Sequence, residues 1–139
     1  MEYTAEAVHQ QGLRFVVTNG PHSVTTDYPL KPDDPGVGPR PLEMLLGSLA
    51  SCAGGALMAL LRRAGQPVGG LKVSARGQRR AEHPTVFTEI ALEFVVTGPV
   101  DSAAVAKALE QSEASICPIW AMLKPATPIS SSFRIESKG

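Results

Sequence analysis

From Met44 to Leu61 the chain carries no charged residue. This run lies inside a longer segment, Pro41–Ala64, that is dense in small residues: Gly47, Ser48, Ala50, Ser51, Ala53, Gly54, Gly55 and Ala56. An uncharged stretch of that length must be removed from water, and there are two ways to do it. Gly47, Ser51 and Gly55 recur at four-residue spacing, as on a small-xxx-small face of a transmembrane helix. The other way is a core helix whose small residues let a neighbouring helix approach closely. The run only just reaches the length a bilayer requires, and half of it is Gly, Ala, Ser and Cys. The rest of the chain reads as strands that need a core to cover. The segment is therefore read as a buried helix, with no membrane association expected.

Its ends carry matching signals. Pro41 suits the first helical position, where a missing N–H is harmless, and Glu43 falls in the first turn, opposite the positive helix end. Arg62 and Arg63 fall in the last turn and Gly65 just past it. Before the helix, Pro29, Pro32, Pro35 and Pro39 with Gly36 and Gly38 define an ordered loop.

The flanks read as strands. Leu13–Thr18 is rich in β-branched and aromatic residues and lies between Gly12 and Asn19-Gly20-Pro21. His22–Tyr28 reads as a further strand, giving a three-stranded meander in residues 1–28. Leu71–Arg76 alternates apolar and polar. So does Val86–Thr97, with Val86, Ile90, Leu92, Phe94 and Val96 on one parity. These are two half-buried, antiparallel strands joined by a polar turn at Glu82-His83-Pro84. Asp101 is placed to cap a second helix, with Val100 and Val105 at the staple positions. Its stripe is Val105, Ala108, Leu109, Ser112 and Ile116. Pro118 opens a short third helix, Pro125 ends it, and Ile129–Glu136 is a last strand. The order defines an α+β layout with an antiparallel sheet and one domain over residues 1–139.

Zero formal net charge removes any global field that would draw nucleic acid or anionic lipid. At 5% aromatics, stacking platforms for single-stranded nucleic acid are also excluded. The two cysteines are too few for a disulfide framework, so a reducing cytoplasm is expected, and no signal peptide is visible.

Chemistry can sit on those two thiols. Cys52, amid Ala and Gly within the long helix, reads on composition alone as an inert core residue. Cys117 precedes Pro118 at the expected N-cap of the third helix, and helix N-termini lower thiol pKa values. Two thiols on helices are the minimum set for a cycle in which one is oxidised to sulfenic acid and the other condenses with it. Metal chemistry has little support: there is no C-x-x-C or H-E-x-x-H, and His9, His22 and His83 are isolated. His83 as the base of a Cys–His hydrolase has no local support, and no glycine-rich phosphate loop is present.

Gly38–Cys52, GPRPLEMLLGSLASC, resembles the helix signature of the OsmC/Ohr family, and Cys117-Pro118 with Ile119–Leu123 resembles that family's second cysteine motif. The order of elements agrees over nearly the whole chain. The resemblance implies an OsmC-like fold, with antiparallel sheets wrapped around two central helices in an intertwined homodimer and sites at the subunit interface. It implies a thiol-dependent, stress-response peroxidase that reduces organic hydroperoxides to alcohols without a metal or bound cofactor. Cys52 would be peroxidatic and Cys117 resolving, and the reductant a dithiol such as a lipoylated protein. Substrate entry is expected through an apolar pocket near Leu45, Leu49 and Trp120. Where the peroxidase branch has a glutamate directly after the proline, this chain has Leu42. Glu43 comes next, and nine helical residues place it on the opposite face from Cys52, roughly 13 Å along the axis. The branch's G-R-D-G arginine motif is absent, which leaves Arg14, and second Arg40, as candidates. These departures point to an OsmC-like side branch. The alternative function is a non-peroxidatic relative that binds a small apolar ligand or serves another thiol role.

Overall fold

The computed structural model describes residues 1–137 and divides into two compact units, Met1–Leu45 and the chain from Leu46 onward, with the boundary inside the long helix.

The first unit is the meander β1 (Glu6–Gln11), β2 (Arg14–Asn19) and β3 (His22–Thr26), antiparallel in the order β1-β2-β3. Gly12 and Gly20 make its turns at φ of 53° and 56°, a region where a side chain would be strained. No hydrophobic side chain of these strands is buried, and all of β1 is exposed. The proline-rich loop folds back on β3. The Asp27 N–H donates to the Pro39 carbonyl at 3.1 Å, and Gly38 lies so close to Thr25 that an added Cβ would overlap the Thr25 carbonyl.

The long helix, α1 (Pro41–Arg63), starts and stops where Pro41 and Arg62-Arg63 indicate. The second unit packs the rest of α1 with β4 (Gly70–Arg79), β5 (Phe87–Thr97), α2 (Ser102–Gln111), a π-helical turn (Ser112–Ile116), α3 (Pro118–Leu123) and β6 (Ile129–Glu136). Its core joins Leu49, Leu57 and Leu61 of α1 to Ile90, Leu92, Phe94 and Val96 of β5, with Val105 and Leu109 of α2 and Trp120 of α3. Those β5 residues share the parity read from the alternation. Asp101 caps α2, its carboxylate accepting from the Ala104 N–H at 3.0 Å. Gly54 lets α1 press onto β4: a Cβ there would lie 2.9 Å from a Val73 methyl.

Two expectations are corrected. The second sheet is mixed, in the order β4-β5-β6: β4 and β5 are antiparallel, but β6 runs parallel to β5. The chain reaches β6 through α2, the π turn and α3, a connection long enough to return it to the starting end of the sheet, as parallel pairing requires. The helical stripe also fails at its end. Val105, Ala108, Leu109 and Ser112 are buried, but Ile116 is 47% exposed. The wider π turn takes Ile116 off the apolar face that a regular 3.6-residue period would have given it.

The apolar length of α1 is matched on one side only. Only 33% of its most apolar 18-residue stretch is buried. Gly47, Ser51, Gly55 and Met58, with Leu71 and Val73 of β4, line an open groove of about 450 Å³. A Cβ on Gly47 or Gly55 would meet nothing within 4 Å.

Candidate functional site: a thiol pair

Cys52 sits in the middle of α1 and Cys117 at the N-cap of α3. Their sulfurs lie 3.1 Å apart across 65 residues of sequence, both as free thiols. Cys117 donates to the Cys52 sulfur. Local structure explains the placement of each. Cys52 lies next to the buried face of α1 and stays half-buried, with Ala53 wholly buried. Cys117 is extended (φ −76°, ψ 108°) because Pro118 excludes helical backbone in the residue before it. That break turns its side chain inward, where it is 1% exposed.

The environments are unequal. Burial pushes the Cys117 thiol up from its ordinary 9.0 to about 11, reinforced by the hydrogen bond to Cys52 and opposed by the Trp120 N–H at 3.5 Å. The expected lowering at a helix N-terminus is overturned, because the backbone amides of Trp120 and Ile119 at the start of α3 do not offset the desolvation. Cys117 thus keeps its proton and points it at the half-buried Cys52 sulfur.

The sign of this shift makes a stability prediction. From pH 9 to 11 the unfolded chain releases the Cys117 proton while the native chain retains it, so unfolding gains as pH rises. The stabilisation is whole below pH 9 and lost through pH 11, on the order of 2 kcal/mol. Urea titrations of wild type and Cys117→Ser across this window are expected to converge by about that amount. A pH-independent gap would contradict the assignment.

The other candidates have partners elsewhere. Glu43 accepts from the Arg40 N–H at 2.8 Å, closing the first turn of α1 as a capping carboxylate. Arg14 meets Asp27 Oδ2 through Nη2 at 3.3 Å and Nε at 3.4 Å, and Asp27, only 6% exposed, also accepts from the Val37 N–H. Arg40 lies over the Tyr28 ring, 5.3 Å from its centroid. Arg14 is thus the countercharge of a buried carboxylate. Arg14→Ala is expected to destabilise the chain by about 1–3 kcal/mol by leaving that carboxylate without a cation. It is expected to change Cys52 oxidation by peroxide less than about threefold. Denaturant titration and stopped-flow thiol oxidation separate the two effects.

The apolar entry expected beside Leu49 and Trp120 is not open, because both side chains are 0% exposed and belong to the core; Leu45 is half-buried in the first unit. Trp120 stacks on Phe94, with centroids 6.3 Å apart at 14°. No group of three or more His, Cys, Asp or Glu side chains able to hold a metal occurs among the described residues. One residue of the site escaped sequence reading. Ser112, 0% exposed, donates from its hydroxyl to the Ala53 carbonyl at 3.5 Å, and its own carbonyl accepts from the Cys117 N–H at 2.9 Å. Its signal was a polar residue on the apolar stripe of α2.

The fold that carries this pair is shared with solved structures. The chain superposes on a hypothetical protein from Aquifex aeolicus VF5 with a TM-score of 0.88 at 26% identity, covering 100% of this chain and 99% of that one. It shares its fold with a Legionella pneumophila protein described as an organic hydroperoxide resistance protein OsmC, at TM-score 0.69 and 14% identity, covering 96% and 97% of the two chains. The model of the OsmC-like protein family matches residues 32–132, so this chain belongs to that family. Protein YhfA of Escherichia coli strain K12 is 35% identical over 98 residues, 70% of this chain and 73% of YhfA.

Proposed function

We propose that the protein is a thiol-dependent peroxidase that reduces organic hydroperoxides to alcohols. The observation that carries this reading is the 3.1 Å approach of two free thiols with unequal burial. Cys52, the more accessible sulfur, attacks the terminal peroxide oxygen as thiolate. The O–O bond breaks, the alkoxide leaves and takes up a proton, and Cys52 becomes a sulfenic acid. The Cys117 sulfur then attacks that sulfenic sulfur, water leaves, and a Cys52–Cys117 disulfide forms. A dithiol reductant, such as a lipoylated protein, returns two electrons and reopens the pair. Resting free thiols suit a reducing compartment such as the cytoplasm.

The working unit in this reading is a homodimer. The three strands of the first unit bury no hydrophobic side chain, and the small-residue side of α1 lies open. A second copy of the chain supplies cover for such surfaces. Sedimentation at micromolar concentration giving a single species near 14.6 kDa would sink the dimer.

The test of the activity is mass spectrometry of thiols and products after adding cumene or tert-butyl hydroperoxide. A Cys52–Cys117 disulfide with stoichiometric alcohol is the expected result, and two untouched thiols in excess peroxide would reject it. A second reading is a non-peroxidatic OsmC-like protein that binds a small apolar ligand or has another thiol role. It is favoured by the separate engagement of Glu43 and Arg14, which leaves the pair without an assigned acid–base or oxyanion partner.

A further inference from the structure

We propose that Ser112 is the positioning residue that brings the two sulfurs together, and that its hydroxyl favours the closed disulfide over the open dithiol. The inference rests on the redox role of the pair and goes on to name what sets its closure. Ser112 holds the backbone beside each thiol: the Ala53 carbonyl next to Cys52 through its hydroxyl, and the Cys117 N–H through its carbonyl. It is the first residue of the π turn, so it joins α2 to the segment that presents Cys117. Such wide turns recur at functional sites and supply local slack.

The distances give the direction. The sulfurs must close from 3.1 Å to a bond of about 2.05 Å. The Ser112–Ala53 hydrogen bond is long at 3.5 Å, and strong hydroxyl–carbonyl bonds are about 2.8 Å. The two gaps are of similar size. If closure carries the π turn towards α1 together with Cys117, both distances shorten and the hydroxyl bond is stronger in the disulfide state. Closure by Cys117 attack on an oxidised Cys52, or by exchange with glutathione disulfide, releases water or two glutathiones respectively. The hydroxyl itself transfers no electron.

The test measures the effective concentration of the Cys52–Cys117 pair by equilibration with reduced and oxidised glutathione. Ser112→Ala is expected to lower it about three- to fivefold, the part of the hydrogen bond gained on closure. Ser112→Thr, which keeps the hydroxyl, is expected to stay within about twofold of wild type. Val105→Ala loosens the same helix without removing a polar group, and is expected to leave the value within about twofold. An unchanged value in Ser112→Ala, or an equal loss in Val105→Ala or Ser112→Thr, overturns the proposal. If Ser112→Ala does not fold, Ser112→Thr against Val105→Ala decides alone: retention in the first supports the role, loss overturns it. The readout uses no peroxide. A wild type that equilibrates with glutathione yet ignores hydroperoxides rejects the peroxidase reading and leaves the role of Ser112 standing.

Discussion

Replacing Cys52 with serine is expected to abolish hydroperoxide reduction, by roughly three orders of magnitude or more, because the reaction then has no nucleophile. Cys117 does not substitute for it. Its thiol is 1% exposed and pushed up to about 11, so near neutral pH almost none is thiolate. Cys117→Ser is expected to behave differently. The first oxidation of Cys52 still occurs, within about tenfold of the wild-type rate, since the attacking sulfur is intact. One equivalent of alcohol is released, and the sulfenic acid then accumulates for want of a partner at 3.1 Å. Dimedone trapping followed by mass spectrometry distinguishes the two variants. Equal impairment of the first turnover in both would reverse or equalise the assigned roles. Full turnover by Cys52→Ser would remove the proposed chemistry from this pair.

The largest stability effect is expected at Trp120. It is fully buried, stacks on Phe94, and belongs to the short helix that Cys117 caps. Trp120→Ala is expected to cost about 3–5 kcal/mol through lost packing and the remaining cavity. Trp120→Phe is a sharper test. The indole N–H is buried and has no hydrogen-bond partner among the described residues, so removing it relieves a desolvation penalty that partly offsets the smaller ring. The expected loss for Phe is under about 2 kcal/mol, measured by urea unfolding. A Phe variant as unstable as the Ala variant would mean that the indole N–H has a partner. Both changes also reach the thiols, because the backbone N–H of residue 120, which both variants keep, donates to Cys117 Sγ from within the helix that Trp120 anchors. Loosened packing there is expected to slow disulfide closure more than the first oxidation of Cys52.

The elements that sequence made legible are those governed by local rules. Pro41, Glu43 and Arg62-Arg63 bound α1 because helix ends select for a missing donor, an acid and a base in turn. The parity of Ile90, Leu92, Phe94 and Val96 identified the buried face of β5, since side chains alternate across any strand. Asp101 capped α2 as its chemistry requires. The family resemblance carried by Gly38–Cys52 and Cys117-Pro118 agrees with the matching family model.

The misreadings have a common origin in long-range packing. Nothing local in Ile129–Glu136 states whether it runs with or against β5; the intervening connection decides that. Ile116 kept a helical period in sequence that the π turn interrupts in space. The partners of Glu43 and Arg14, the Arg40 N–H and Asp27, were equally out of reach of a local reading, since the folded backbone and the first unit specify them. The Cys117 thiol moved opposite to its helix-terminus rule because burial outweighs the amides of Trp120 and Ile119.

By itself, then, the sequence determined that an uncharged, small-residue helix stands at the centre of an α+β chain, with one thiol on it and another before a proline. Local propensity and periodicity are sufficient for that, since they act over one or two turns. Only the tertiary structure decided that the two sulfurs meet at 3.1 Å, that Cys117 is the buried partner, and that Ser112 braces both segments. Residues 65 apart in sequence are brought into contact by the packing of α1 against α2, the π turn and α3, a packing that no local window contains.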